Sequence, residues 1–259
     1  MQEFTKVDHW DSAAARYERA GHPYTSSYVE AVIDQFGLTP ASRVLDIAAG
    51  TGALALAAAR TGAQVLATDF SPGMVARIAA KQVPNIEAQV MDGQALDLPD
   101  ASFDAVFSFF GVFMFPDWRK GLAEMARVTR PGGYGVVAVW QDRGAGAFLL
   151  LGQLIQQLFP DRDLAPMPES MTILNTAAGL TAELVRAGYG DARIEAVTRD
   201  FGLDMSTLGE FDAVLSQSPD WAKLDDSQRD RIITEVRRMA GDRAVLPIPS
   251  TALIGVARR

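Results

Sequence analysis

The chain contains no cysteine, which excludes disulfides, thiolate metal centres and cysteine nucleophiles. Histidine is almost as scarce. His9 and His22 are the whole supply, too few for an imidazole-rich centre, so no metal is expected. Basic residues are outnumbered, 24 Lys and Arg against 32 Asp and Glu, giving a net charge of −8. Nucleic-acid binders gain affinity from clustered Lys and Arg, and no basic run interleaved with aromatics occurs, so no nucleic acid is expected as a partner. A long apolar run is missing too. The most apolar window, residues 145–158, is broken by Gln153, Gln156 and Gln157 and is too short and too polar to span a bilayer. The opening MQEFTKVDHWDS lacks the basic-then-apolar layout of a secretory signal. A cytoplasmic protein without a membrane span is expected.

What the chain does have is ordinary in bulk and specific in one place. Its 259 residues, 48% of them hydrophobic and 22% charged, suit one large α/β domain or a domain with a modest insertion. The specific place is Arg43 to Gly52, RVLDIAAGTG. Val44, Leu45 and Ile47 have the composition of a buried strand, and Leu54 to Arg60 reads as a helix. Between them stand Ala48, Ala49, Gly50, Thr51 and Gly52, five small residues in a row. Such a turn lets a polar ligand approach the main chain closely, at the positive end of a helix. The competing reading is a strand-to-helix turn whose glycines serve tight geometry alone.

The strand-then-helix unit repeats. Residues 8–37 read as helical, with a fresh segment from Ser26 to Phe36 after Pro23. Strands are expected over about 43–48, 64–68, 86–91, 103–109 and 134–140, with helices over 54–60, 72–82 and 118–128 between them. Ser71 is the expected N-cap of the second of these helices, with Pro72 in its first turn. Arg130-Pro131-Gly132-Gly133 is expected as a turn. Residues 176–187 read as a further helix, and 193–199 and 252–257 as two last strands. The pattern describes a doubly wound parallel α/β sheet. Residues 1–38, 142–170 and 204–244 are expected as helical caps on one domain spanning 1–259, the last as two helices joined by a polar loop at 216–226.

Three aspartates fall at the ends of the first three strands: Asp46, Asp69 and Asp92. The C-terminal strand ends of such a sheet share the rim on which ligands bind. Asp69 follows Gly50 by nineteen residues, near the ~20-residue offset at which an acid meets a ribose hydroxyl. The same turn could serve NAD in an oxidoreductase: a dinucleotide fingerprint has a third glycine in the helix, and Ala55 stands there. Against NAD stand Asp92-Gly93 and the PGG turn, which a pyrophosphate site does not require. A non-catalytic scaffold would be betrayed by a degenerate first motif, and this one is intact.

Over residues 42–140 the sequence resembles the class I S-adenosylmethionine-dependent methyltransferases, in particular the small-molecule group that includes the ubiquinone and menaquinone methyltransferases. VLDIAAGTG resembles the first motif, with Asp46, Gly50 and Gly52 at matching positions and Ala48 where a glycine is usual. ATDFSPGM resembles the second, and implies that Asp69 holds the ribose diol, Phe70 lies against the adenine and Met74 packs nearby. MDGQALDLPDASFDAV resembles the third, and implies that Asp92 meets the adenine amino group while Gly93 offers its backbone. Ser108 joins this cofactor set.

The resemblance further implies a Rossmann-like sheet of seven strands in the order 3-2-1-4-5-7-6 with strand seven antiparallel. The cofactor is then S-adenosylmethionine, released as S-adenosylhomocysteine, and the partner is a small-molecule methyl acceptor, on a monomer or homodimer. Relatives commonly carry histidine after strand four. This chain has Ser108-Phe109-Phe110-Gly111-Val112-Phe113-Met114-Phe115, either core packing or an apolar wall for the acceptor. His22 and Tyr17 are the candidate catalytic residues, with Asp142 as a further possible base. Tyr17 and Tyr24 are candidates for the methionine end of the cofactor, and Trp10 for the core.

Overall fold

The computed structural model describes residues 5–190, 192–210, 215 and 218–259. Seven strands, β1 (Arg43–Ile47), β2 (Gln64–Asp69), β3 (Ile86–Val90), β4 (Phe103–Phe109), β5 (Thr129–Trp140), β6 (Ala192–Asp204) and β7 (Val245–Arg258), form one sheet. Their order is β3-β2-β1-β4-β5-β7-β6. The first five pair parallel. Strand β7 runs the other way: Gly133 of β5 faces Arg259, whereas Gln141, just past β5, bonds Thr251. The order reverses between β1 and β4, and the crevice at such a reversal is where α/β sheets bind ligands. Val44, Leu45 and Ile47 of β1 and Phe103, Ala105, Val106 and Phe107 of β4 are all buried, as expected of strands covered by helices on both faces.

The described residues form two compact units. One comprises 1–139, 172–197 and 252–259, the other 140–171 and 198–251. In the first unit, helices α1 (Val7–Glu30), α2 (Ala53–Arg60), α3 (Pro72–Ala79) and α4 (Trp118–Val128) flank the sheet. Ser71 caps α3 by accepting from the Met74 N–H, with Pro72 at the first position. In the second unit, α5 (Gly146–Leu158) and α8 (Asp226–Ala240) enclose a core that includes Leu150, Leu154, Leu215, Trp221, Ile232 and Val236. The helices between, α6 (Glu169–Leu174) and α7 (Ala177–Ala187), follow α5 in the chain. Among the described residues no helix is long and apolar enough to cross a membrane.

Four local expectations are corrected. Pro23 does not divide the first helix, which runs unbroken from Val7 to Glu30. Hydroxyls back-bond to carbonyls beside the proline: Thr25 Oγ1 donates to the Gly21 carbonyl at 3.1 Å and Ser26 Oγ to that of His22 at 2.7 Å. The PGG segment is not a turn before β5 but a bulge inside it. Thr129 pairs with Phe103 and Tyr134 with Ala105, so β5 carries extra residues there. The C-terminal end of β7 holds the bulge in the sheet, the Gly132 N–H donating to the Arg259 carbonyl at 2.6 Å.

Strands β6 and β7 are longer than their apolar cores suggest. Pro247 and Pro249 of β7 are exposed and alternate with the buried Leu246, Ile248 and Ser250. The strand period survives where the prolines look like loop punctuation. Finally, the described residues of 204–244 include the helix α8, preceded by single turns at Met205–Glu210 and Pro219–Ala222. Asp225 and Gln228 form a capping box at the start of α8, and it fixes the helix start within the stretch read as loop. Residues 211–214 and 216–217 of the other expected helix and its loop lie outside the described residues.

Candidate functional site

The turn after β1 has left-handed backbone at Ala48, Gly50 and Gly52, with φ of 55°, 55° and 88°. The two glycines are suited to this and the alanine is not, at a cost of about 1 kcal/mol. Gly52 is the N-cap of α2 and has no side chain with which to cap it. Asp46 acts instead, its Oδ2 accepting the Ala55 N–H at 3.1 Å from the end of β1. Burial pushes the Asp46 carboxyl up to about 8, aided by the negative charge of Asp69. Asp69, at the end of β2, spans two backbone donors. Its Oδ2 accepts from Gly50 N–H and its Oδ1 from Ser71 N–H, both at 2.9 Å. Burial raises its pKa to about 6, those backbone bonds opposing the shift.

Across the crevice, Phe110 also has positive φ, 61°, an outlier for a bulky residue and one that marks functional rims. Its ring meets Tyr28 edge-on at 5.4 Å, and the Tyr24 and Tyr28 hydroxyls lie 2.7 Å apart. The next residue, Gly111, packs against the β1 exit. A methyl built there would stand 2.5 Å from Ala48 Cβ and 3.0 Å from Ser108 Oγ. Gly111→Ala should therefore lower stability by about 1–3 kcal/mol, read as a lower denaturation midpoint.

The other sequence-derived residues fall into place unequally. Asp92 is exposed at the end of β3 and accepts from Gln94 N and Nε2 at 2.9 and 3.0 Å. Gly93 is buried, and a methyl on it would come within 2.7 Å of Ile47 and Phe115, so packing alone requires a glycine there. Phe70 is half-buried, Met74 is buried in α3, and Ser108 is fully buried with its hydroxyl turned to the Val112 N–H at 3.1 Å. Val112 and Phe113 belong to the core, whereas Phe109 is only partly buried. Asp142, in the second unit, is exposed.

Helix α1 brings both candidate catalytic residues to the turn. Tyr17 lays its ring on Gly50, where a methyl would be 3.3 Å from it, and burial raises its phenol pKa. Trp10, only partly buried, meets that ring edge-on at 6.0 Å. His22 Nδ1 lies 2.8 Å from Thr51 Oγ1. Burial, and then the positive charge of Lys81, lower its pKa, so the imidazole is neutral at pH 7. It is a partner of the turn, not a surface residue of a loop. Sequence reading missed Asp11, Glu18 and Lys81, which tie α1 to this region, because nothing in their local pattern distinguishes them from solvated charges. Among the described residues no group of three or more His, Asp or Glu could hold a metal ion.

Comparison with known proteins places these features in a family context. Residues 45–137 match the family model described as a methyltransferase domain. A demethylmenaquinone methyltransferase of Mycobacterium sp. (strain KMS) is 36% identical over 172 residues, covering 62% of this chain and 74% of that protein. Another from Renibacterium salmoninarum is 44% identical over 117 residues, 45% of this chain and 49% of that protein. The chain spans about half the length of the first curated relatives it matches. In fold it is similar to the YcgJ protein of Bacillus subtilis, with a TM-score of 0.56 at 20% identity over 89% of this chain and 97% of that one. A methyltransferase-like structure from Bacillus halodurans gives 0.57 at 15% identity, over 90% and 98%.

Proposed function

Given that the chain belongs to the class I S-adenosylmethionine-dependent methyltransferases of the quinone-methyltransferase type, we propose that it methylates a small, apolar or aromatic acceptor. The observation that carries this reading is the placement of Asp46, Asp69 and Asp92 at or just past the C-terminal ends of three neighbouring parallel strands, beside a turn of small residues. The donor set fits S-adenosylmethionine. Asp69 keeps lone pairs for a vicinal diol beyond the two backbone N–H groups it already accepts. Gly50 and Gly52 give the methionine end access to the main chain, with Asp46 and Ala48 behind them. Phe70 and Met74 offer an apolar bed for the adenine, Asp92 an acceptor for its amino group, and Gly93 its backbone. Ser108, bonded to Val112, supports the β4 exit from behind.

The sulfonium of S-adenosylmethionine supplies an activated methyl group that is displaced in line by the acceptor's nucleophilic atom. The protein's share is alignment and exclusion of water. Phe109, only partly buried, provides an apolar wall for the acceptor, with Phe110 packed in the core beside it, a role that agrees with the quinone named in the relatives' names. Neutral His22 is the group of α1 suited to receive a proton at this rim, and Tyr17, whose phenol keeps its proton, is suited to donate a hydrogen bond there. We assign the protein to the cytoplasm.

Calorimetric titration with S-adenosylhomocysteine tests the reading. Binding in the micromolar range is expected, with no thermal stabilisation by NADH. Stabilisation by NADH alone would make the protein an oxidoreductase, and binding of neither would leave a scaffold.

A further inference from the structure

Helix α1 is fastened to both flanks of the glycine turn. Asp11 Oδ1 accepts the Gly73 N–H at 2.8 Å and the Ser71 hydroxyl, at the start of α3. One turn of helix before His22, Glu18 takes the Lys81 ammonium at 2.6 Å and the Arg77 guanidinium at 3.0 Å. Lys81 also donates to the Thr51 carbonyl at 3.2 Å, and His22 holds the hydroxyl of the same threonine. Between these ties the Tyr17 ring rests on Gly50, whose N–H is bonded to Asp69.

The closure is tight. Tyr17, Thr25, Asp46, Ala48 and Phe109 are among the residues around a cavity of about 20 Å³. That is room for about one water, whereas ligand pockets of this kind enclose ~300 Å³ or more. The Tyr17 ring covers Gly50, so a ligand that meets the Gly50 main chain must displace it.

We propose that Asp11 and Glu18 are positioning residues of a gate. They hold α1, and with it Tyr17, across the glycine turn, and they set how often the turn opens to an adenosyl ligand. This rests on the reading that the turn is the cofactor's. Glu18, Arg77 and Lys81 are all partly exposed, and ion pairs of that kind are weak and screened by salt. The open form is therefore a minor state within thermal reach. When only the open form binds, the association rate follows its population.

Asp11→Ala and Glu18→Ala lie on the outer part of α1, where alanine preserves the helix. Each is expected to raise the association rate of S-adenosylhomocysteine about 3- to 10-fold in stopped-flow fluorescence. Added salt should speed association to the wild type and do less for Glu18→Ala. The ligand carries no net charge at neutral pH, so steering does not mimic this effect. Lys81→Met should act like Glu18→Ala, and the double variant should gain little more, because both break one contact. In ligand-free protein, hydrogen exchange of α1 should quicken in both alanine variants while that of β1 and β4 stays unchanged. Unchanged exchange in α1, or unchanged association rates with the ligand bound normally, would overturn the gate and leave α1 a fixed wall. If no form of the protein binds S-adenosylhomocysteine, the cofactor reading fails, and the exchange measurement still decides the gate.

Discussion

Asp69→Ala should weaken S-adenosylhomocysteine binding by roughly 1–3 kcal/mol, about 5- to 150-fold. The carboxylate bridges the Gly50 and Ser71 N–H groups, so it stands where the ends of β1 and β2 meet, and its remaining lone pairs are those proposed for the ribose. A pH dependence separates this role from a purely local one. The Asp69 carboxyl titrates at about 6, raised chiefly by burial, and only the ionised form accepts from both ribose hydroxyls. Affinity should be level at pH 8 and fall by about tenfold per pH unit well below 6, a slope that Asp69→Ala abolishes. A 2′-deoxyribose analogue supplies the second axis of a thermodynamic cycle. Wild type should discriminate against it and Asp69→Ala should not. Equal discrimination by both proteins would take Asp69 out of contact with the ribose.

The central sheet was legible because its strands are short apolar runs punctuated by small or acidic residues. The bounds of β4 and α4 and the Ser71 cap came from composition and local hydrogen-bonding chemistry alone. So did the acidic rim, since each aspartate stands at or just past an expected strand end. The features that escaped depend on residues far apart in the chain. Asp11 and Ser71 are separated by 60 positions and Glu18 and Lys81 by 63, and no local period relates them. The positive φ of Phe110 has no glycine to announce it. Pro23 lies inside a helix, and Pro247 and Pro249 lie inside a strand with outward-facing alternation. Local rules yield where tertiary bonding supplies what the residue lacks.

Asp46→Asn should change the pH dependence of stability more than any other single substitution at this rim. The native carboxyl titrates at about 8, against an ordinary 3.8, because it is buried beside Asp69. A raised carboxyl favours the protonated native state. Its contribution is fully present below about pH 4, is lost as pH rises through 8, and stays lost above that. At about 1.4 kcal/mol per unit the loss is of the order of 5 kcal/mol at most. Asparagine is neutral throughout and offers Oδ1 to the Ala55 N–H, as Asp46 does now. The variant should match or fall slightly below wild type in urea unfolding at pH 5 and exceed it at pH 9, the two curves crossing in between. Residual slope should come from Asp69 over about pH 4–6 and, with the opposite sign, from His22, whose pKa burial lowers from 6.5. Parallel curves from pH 5 to 9 would mean that Asp46 ionises as freely in the native protein as in the unfolded chain. A buried acid that weakens the fold at neutral pH is one that packing alone would replace. Asp46 also caps α2 through the Ala55 N–H, so its cost in charge is set against a structural bond as well as against the ligand proposed for the turn.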